Sequence, residues 1–250
     1  MDDPAHLNRQ NDTVTRPASV PSITVFFPCY NEAANISELV NKTLAILNKL
    51  TSDFEIVIVD DGSTDGTGKV IDTLAADIDS VKAVHHEKNL GYGAALQSGF
   101  KAATKELVFY TDGDGQFDVG EMPALLGLMR QYDIVSCYRL NRQEGLIRKL
   151  NGWAWTKLVC RMFGMKIKDI DCGFKLFKRS IFDNIEIRST GALIDAEILA
   201  RAARKGYTVT QAGVHHYPRK TGEQSGANLS VIFRAFKELL KLRKDILGES

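Results

Sequence analysis

The apolar positions of the chain change their period several times in the first half. Ile23 to Phe27 forms a dense apolar run that predicts a buried strand. Over residues 35–50, Ile36, Leu39, Val40, Leu44 and Leu47 fall on one stripe at helical spacing. Strand patterns then recur at Phe54 to Val59, Val81 to Val84, Leu107 to Tyr110 and Ile134 to Ser136, separated by helical patterns over 65–76, 93–103 and 119–131. Strands alternating with helices in this way predict an α/β domain: a mostly parallel central sheet flanked by helices on both faces. Sheets of that kind bind ligands beyond the carboxyl ends of their strands. That rule singles out the loops 28–32, 60–66 and 111–118 before any motif is considered.

The second half is less regular. Residues 145–164 read as a helix with broad apolar coverage, 174–177 and 207–217 as extended, and 192–205 as helical. Residues 228–247 form an amphipathic helix, with Leu229, Ile232, Phe233, Phe236, Leu239 and Leu240 on its apolar side. Residues 1–20 are polar and carry Pro4 and Pro17, which predicts a disordered arm.

Composition narrows the reading mainly by exclusion. The chain has 250 residues, 44% hydrophobic and 25% charged, as expected of a globular domain with its own core. A net charge of +1 gives no general attraction to nucleic acid. Cys29, Cys137, Cys160 and Cys172 form no CxxC pair, which argues against zinc or redox chemistry and suits reduced thiols in a cytoplasmic setting. No apolar run approaches the roughly 20 residues that span a bilayer, and the N-terminus lacks a signal core.

Two of the predicted edge loops are rich in carboxylates. In Asp60-Asp61-Gly62-Ser63-Thr64-Asp65-Gly66-Thr67, a helix cap from Ser63 or Thr64 accounts for the hydroxyls but not for adjacent acids straight after a buried strand. A nucleotide base or ribose offers donors to such a pair. In Asp112-Gly113-Asp114-Gly115-Gln116, two carboxylates on a glycine-freed backbone can converge on one cation, and Mg²⁺ commonly takes one or two carboxylates plus substrate phosphates. A calcium loop would need more acids and a distal Glu. Gly91-Tyr92-Gly93 lacks the third glycine of a dinucleotide fingerprint, and there is no Walker A sequence.

Together these segments resemble the family-2 inverting glycosyltransferases of GT-A fold. Pro28-Cys29-Tyr30-Asn31-Glu32, the Asp60 to Thr67 segment, Asn89-Leu90-Gly91-Tyr92-Gly93-Ala94-Ala95 and the D-x-D-x-Q of Asp112, Asp114 and Gln116 carry the resemblance. Ser136-Cys137-Tyr138-Arg139 and Asp171-Cys172-Gly173-Phe174-Lys175 point to dolichol-phosphate mannosyltransferase and its bacterial polyprenyl-phosphate relatives. The resemblance implies a single domain over 21–226, with a nucleotide-binding half (21–118), an acceptor half (119–226) and the C-terminal helix following (227–250). It implies that Pro28, Tyr30, Glu32, Asp60, Asp61, Asp112 and Gly113 line the donor nucleotide. Asp112, Asp114 and His216 are then the expected ligands of Mg²⁺ or Mn²⁺, and Arg139, Arg219 and Lys220 the expected phosphate ligands. Asp114, Gln116, Asp195 and Glu197 are the expected catalytic residues, with Glu197 preferred to Asp195. The two acids are two apart and do not share a helical face.

The acceptor decides how much proton chemistry is needed. A sugar hydroxyl requires a positioned base. A lipid phosphate, with a second pKa near about 6 by analogy with phosphorylated side chains, arrives anionic and requires cations instead. Between Arg142 and Lys168 lie seven basic residues and one acid, interleaved with Leu146, Ile147, Leu150, Trp153, Trp155, Leu158, Val159, Met162 and Phe163. A basic helix with Trp and Leu suits a membrane interface, and the C-terminal helix is a second such element or a homodimer face. The expectation is therefore transfer of sugar from a GDP-mannose or UDP-glucose type donor to a polyprenyl phosphate, by a peripheral protein on the inner face of the membrane. Rival readings are transfer to a glycan or soluble hydroxyl, and a nucleotide-sugar-binding module without turnover.

Overall fold

The structure is a computed structural model that describes residues 21–140, 146–218 and 229–248, with the backbone alone for 146–148 and 229–235. The arm expected at 1–20, and with it Arg142, Arg219 and Lys220, lies outside the described residues. Strand β1 (Ile23–Cys29) is buried along its whole length, so it sits mid-sheet with both faces covered. It is followed by α1 (Ile36–Leu50), β2 (Phe54–Asp60), α2 (Thr67–Asp77), β3 (Val81–His85), α3 (Tyr92–Ala102) and β4 (Leu107–Thr111). The helix expected over 119–131 is broken into a 3₁₀ turn at Val119–Glu121, a one-turn helix α4 (Pro123–Leu126) and a second 3₁₀ turn at Leu128–Arg130. Pro123 cannot donate into a preceding turn, and Gly120 and Gly127 lower helix propensity on either side of it.

Beyond this come β5 (Ile134–Ser136), β6 (Tyr138–Leu140), α5 (Leu146–Phe163), β7 (Phe174–Lys178), α6 (Ile194–Arg204), β8 (Val209–Thr210), β9 (Gly213–His215) and α7 (Leu229–Gly248). The extended stretch expected over 207–217 is thus two short strands in two different sheets. The main sheet has the order β3-β2-β1-β4-β7-β5-β8. All its pairings are parallel except those that β7 makes with β4 and β5. A small parallel sheet joins β6 to β9.

The period-2 alternation of the central strands feeds two cores. Val25, Phe27, Ile56, Ile58 and Phe109 face α1, α2 and the 119–130 turns. Phe26, Val57, Val59, Val108 and Tyr110 face α3, α6 and α7, where Phe26 packs edge-on against Phe100 with ring centroids 4.9 Å apart.

Two features of this order position a site. The chain leaves β1 toward β2 on one side, while β4 joins β1 on the other, so the sheet has a switch point between the carboxyl ends of β1 and β4. In addition, β7 runs antiparallel and begins where β4 ends, with Phe174 opposite Thr111. Residues 171–173 therefore enter the sheet at the same edge as Asp112.

Candidate active site

The loop after β1 is fixed by hydrogen bonds to the loop after β2. Asn31 adopts a left-handed backbone (φ 58°), which Asn tolerates better than most residues. Its N–H donates to Ser63 Oγ at 2.9 Å, and its Oδ1 accepts from the Thr64 N–H at 2.9 Å. Ser63 and Thr64 thus tie two loops together, and neither caps α2. The N-cap position is Gly66 (φ 96°), without a side-chain cap, and Asp65 just before it accepts the N–H of the first helical residue, Thr67, at 3.0 Å. The Glu32 N–H donates to Thr67 Oγ1, and Glu32 Oε2 accepts from Asn35. Tyr30 stands 45% exposed at the mouth of this loop.

The partners of the adjacent acids come from the chain itself. Asp60 Oδ1 accepts the Ser63 N–H at 3.0 Å, and its Oδ2 meets His85 Nδ1 at 3.2 Å. Asp61 accepts the N–H groups of Leu90 (2.8 Å) and Gly91 (2.9 Å) and meets His86 Nδ1 at 2.7 Å. His86 is anchored in turn on Ser98. Asp61 therefore builds the turn that starts α3. Gly62 (φ 69°) is required beside it, since a Cβ there would come within 2.3 Å of the Lys88 backbone. The signal in the sequence was His85-His86, two histidines at a predicted strand end to which no role was given.

At the switch point the Gly113 N–H donates to the Pro28 carbonyl at 3.3 Å, seating the D-x-D-x-Q loop on the end of β1. Asp112 Oδ1 accepts the Tyr92 hydroxyl at 3.0 Å. Gly173 lies against the carboxylate, and a Cβ there would stand 2.3 Å from Oδ2. Asp114 Oδ1 accepts the Gln116 N–H at 3.0 Å. Gln116 is tied to the 215–217 segment: its Nε2 donates to the Tyr217 carbonyl at 3.0 Å, and its own carbonyl accepts the Tyr217 N–H. Burial and the charge of Asp114 push the Asp112 carboxyl up to about 7, against the pull of Tyr92. Asp171 is exposed to solvent, and the charge of the neighbouring Asp195 works against its ionisation. Tyr92 and Gly173, which lie within the motifs above without an assigned role, are the residues the structure brings against Asp112.

The donor set of this loop fits a hard divalent cation. Two carboxylates lie close together, and the charge of Asp114 works against ionisation of Asp112 until a positive charge joins them. Among the described residues no group of three His, Cys, Asp or Glu side chains converges as a metal site. The expectation that His216 completes such a set is therefore corrected: its ring packs edge-on against Phe117, centroids 5.0 Å apart. The fit is to a site with two protein carboxylates.

The remaining predicted residues are held elsewhere. Arg139 forms a two-pronged ion pair with Asp169, Nε to Oδ2 at 2.7 Å and a terminal nitrogen to Oδ1 at 2.8 Å. A phosphate at Arg139 would compete with that carboxylate. Helix α6 starts before both acids in its first turn, and they point apart. Asp195 is buried on Lys175 (2.8 Å) and the Tyr110 hydroxyl. Glu197, fully buried, accepts the N–H groups of Arg188 and Ser189 and the Arg201 Nε at 2.7 Å. The preference for Glu197 is thus corrected: Glu197 braces the 188–189 loop, and Asp195 is the one whose charge is felt at Asp112. All four cysteines are buried and unbridged, and burial pushes the Cys137 thiol up to about 12.

This arrangement, a switch-point acid loop on a mostly parallel sheet, defines the class of the protein as an α/β GT-A fold. Among solved structures it is similar to glucosyl-3-phosphoglycerate synthase from Mycobacterium tuberculosis in complex with Mn²⁺, UDP and glucosyl-3-phosphoglycerate (TM-score 0.69, 17% identity, 91% of this chain and 80% of that one). It is likewise similar to mannosyl-3-phosphoglycerate synthase from Rubrobacter xylanophilus (TM-score 0.70, 16% identity, 92% and 76%). The chain belongs to glycosyl transferase family 2, whose sequence model matches residues 24–186. Curated relatives include undecaprenyl-phosphate 4-deoxy-4-formamido-L-arabinose transferases. That of Salmonella dublin is 30% identical over 220 residues, and that of Yersinia pestis 29% over 218. The chain spans 65% of the length of these relatives, and 86% and 85% of it is covered.

Proposed function

We propose that this chain transfers a sugar from a nucleotide-sugar donor to a polyprenyl-type lipid phosphate, using a divalent cation such as Mg²⁺ or Mn²⁺. The observation that carries the reading is the pairing of Asp112 with Asp114 at the switch point, seated on Pro28, where burial and the charge of Asp114 push the Asp112 carboxyl up. The donor nucleotide lies along Pro28, Tyr30, Glu32 and Asp60, with its diphosphate at Asp112 and Asp114. When bound, the cation supplies positive charge to the departing diphosphate. Gln116, fixed on the Tyr217 backbone, orients the sugar, and Tyr92 holds Asp112. Arg139, Arg219 and Lys220 are the proposed phosphate ligands, the arginines countering the charge of the departing diphosphate; Arg139 would exchange Asp169 for it.

The acceptor is supported by three things. The relatives named above are undecaprenyl-phosphate transferases. Helix α5 carries Leu150 (62% exposed) and Trp153 (58%) beside exposed Lys157 and Arg161, a mixed face suited to an anionic lipid surface. The acids expected to act as base, Asp195 and Glu197, are both engaged inside the protein. On α7, Leu239, Leu242 and Ile246 pack inward, while Phe236, Leu240 and Leu247 are exposed among Lys237, Lys241 and Lys244, giving a second interfacial face. No helix of the described residues is long and apolar enough to cross a membrane; the proposed association is peripheral, through these two faces, at the inner surface.

Asp171 favours a second reading. It is an exposed carboxylate beside the buried Asp195–Lys175 pair, accessible to take a proton as transfer to a hydroxyl would require. Labelled nucleotide sugars, GDP-mannose and UDP-glucose among them, incubated with polyprenyl phosphate and Mn²⁺ decide between the two. Label entering the organic phase, and lost in Asp114→Ala, supports the lipid phosphate. Label moving only to soluble glycans, and lost in Asp171→Asn, supports the hydroxyl.

A further inference from the structure

The last residues of β2 and β3, Asp60 and His85, lie opposite each other in parallel register, so their side chains leave the sheet on the same face, under α2. His85 Nδ1 meets Asp60 Oδ2 at 3.2 Å, and its Nε2 meets Oδ1 of Asp72, in α2, at 2.9 Å. Ionised carboxylates only accept hydrogen bonds, so the two contacts are made together by the doubly protonated ring. Gly68, in the first turn of α2, leaves the room for this arrangement. A Cβ there would stand 2.9 Å from Asp60 Oδ2 and 3.8 Å from the His85 ring.

The three side chains differ in exposure: 7% for Asp60, 37% for His85 and 68% for Asp72. An ion pair at the surface adds little to stability, and the His85–Asp72 contact is of that kind. What that contact does fix is the ring: with Nε2 held on α2, Nδ1 stays turned to Asp60. The Asp60 carboxylate is then gripped on both oxygens, by the Ser63 N–H on Oδ1 and by His85 on Oδ2. A carboxylate offers about four acceptor sites, so these two contacts leave each oxygen room for a further donor. Asp61 already takes three contacts, from His86, Leu90 and Gly91. Of the two neighbours, Asp60 is the one that is oriented with capacity to spare.

We propose that His85 is a positioning residue for donor binding: held by Asp72, it fixes the Asp60 carboxylate toward the N–H donors of the nucleobase. The inference rests on the reading of Asp60 as a residue that lines the donor nucleotide. Calorimetric titration of the whole purified chain with Mn²⁺ and either UDP or GDP, whichever the wild type binds more tightly, tests it. The same titration with Mn²⁺ and pyrophosphate offers the phosphates without a base. His85→Phe keeps a ring and removes both donors. It weakens nucleotide binding by about tenfold, the scale of one hydrogen bond to a charged group, and leaves pyrophosphate binding unchanged. His85→Asn, whose amide nitrogen takes the place of Nδ1, recovers most of the loss. Asp72→Ala weakens nucleotide binding by less than His85→Phe, because Nδ1 remains.

A folded His85→Phe protein with wild-type nucleotide affinity overturns the proposal. So does one that loses nucleotide and pyrophosphate alike, as a general disturbance of the loops would produce. Where His85→Phe does not fold, Asp72→Ala, at an exposed position, decides in its place: unchanged nucleotide binding overturns the proposal. Asp60→Asn separates the two claims. If it binds nucleotide as the wild type does, Asp60 does not line the donor. If it loses nucleotide while His85→Phe does not, the donor role of Asp60 stands and the positioning role of His85 falls.

Discussion

Asp60 ends β2 and Asp61 follows it, Asp112 and Asp114 follow β4, and β1 runs between those two strands. In sequence the pairs look alike: two carboxylates and a glycine after a buried strand. In the fold their surroundings differ. Asp61 accepts two backbone N–H groups and meets His86, while Asp60 meets Ser63 and His85. Asp112 is pushed up to about 7 by burial and by Asp114. The first pair is largely built into the scaffold that shapes the donor loop. In the second, Asp112 accepts the Tyr92 hydroxyl, and burial with the charge of Asp114 works against its ionisation. Neighbouring acids therefore do not announce a ligand; the donors that the fold brings to them decide.

The sharpest break of this comparison is Asp114→Ala. Sugar transfer should fall about a thousandfold, the scale of removing a principal electrostatic contributor. The melting temperature should hold or rise, because a repulsive neighbour of Asp112 is gone. Glu197→Gln should do the reverse. Removing one partner of a buried ion pair costs about 3 kcal/mol of unfolding free energy in a urea titration, with kcat within about twofold of wild type. A large kcat loss at unchanged stability would return Glu197 to the catalytic set.

Asp61→Asn should cost about 2 kcal/mol by the same titration, since its NH2 group replaces one of the two carboxylate oxygens and faces a backbone N–H from which it cannot accept. Equal stability would mean that Asp61 is as available to a ligand as Asp112. The smallest effect is on pH. The folded Asp112 pKa of about 7 lies above its ordinary value of 3.8, so the folded chain holds this proton more tightly than the unfolded one. Its contribution to stability is fully present below the unfolded value and is lost as pH rises through about 7. Without cation, the melting temperature contributed by this group should decline between about pH 5 and about pH 8. The rise produced by Mn²⁺ should grow over the same interval, as the proton ceases to compete. A Mn²⁺ shift independent of pH would contradict the assignment.

Much of the frame was readable because periodicity is local. The five strand patterns from Ile23 to Ser136 became β1 to β5, and the edge loops met where the parallel order required. The helix expected over 119–131 failed because Pro123 and two glycines outweighed a plausible apolar stripe. The insertion of β7 between β4 and β5 depends on long-range antiparallel pairing, which no local pattern encodes. That insertion brings Gly173 to Asp112 and Lys175 to Asp195. One signal was present: in Phe174-Lys175-Leu176-Phe177 a lysine occupies a position that strand alternation sends inward. Asp195 and Glu197 were correctly kept off one helical face, but which of them faces the site depended on the 188–189 loop, invisible in sequence.

The central claim is that the acceptor brings its own negative charge to a site whose expected bases are engaged. The direct measurement offers polyprenyl phosphate and the matching unphosphorylated polyprenol to the protein with one labelled donor and Mn²⁺. The account predicts label on the phosphate and none on the alcohol, with activity retained in Glu197→Gln. Equal transfer to the alcohol would show that the protein deprotonates a hydroxyl, and the lipid-phosphate reading would fall.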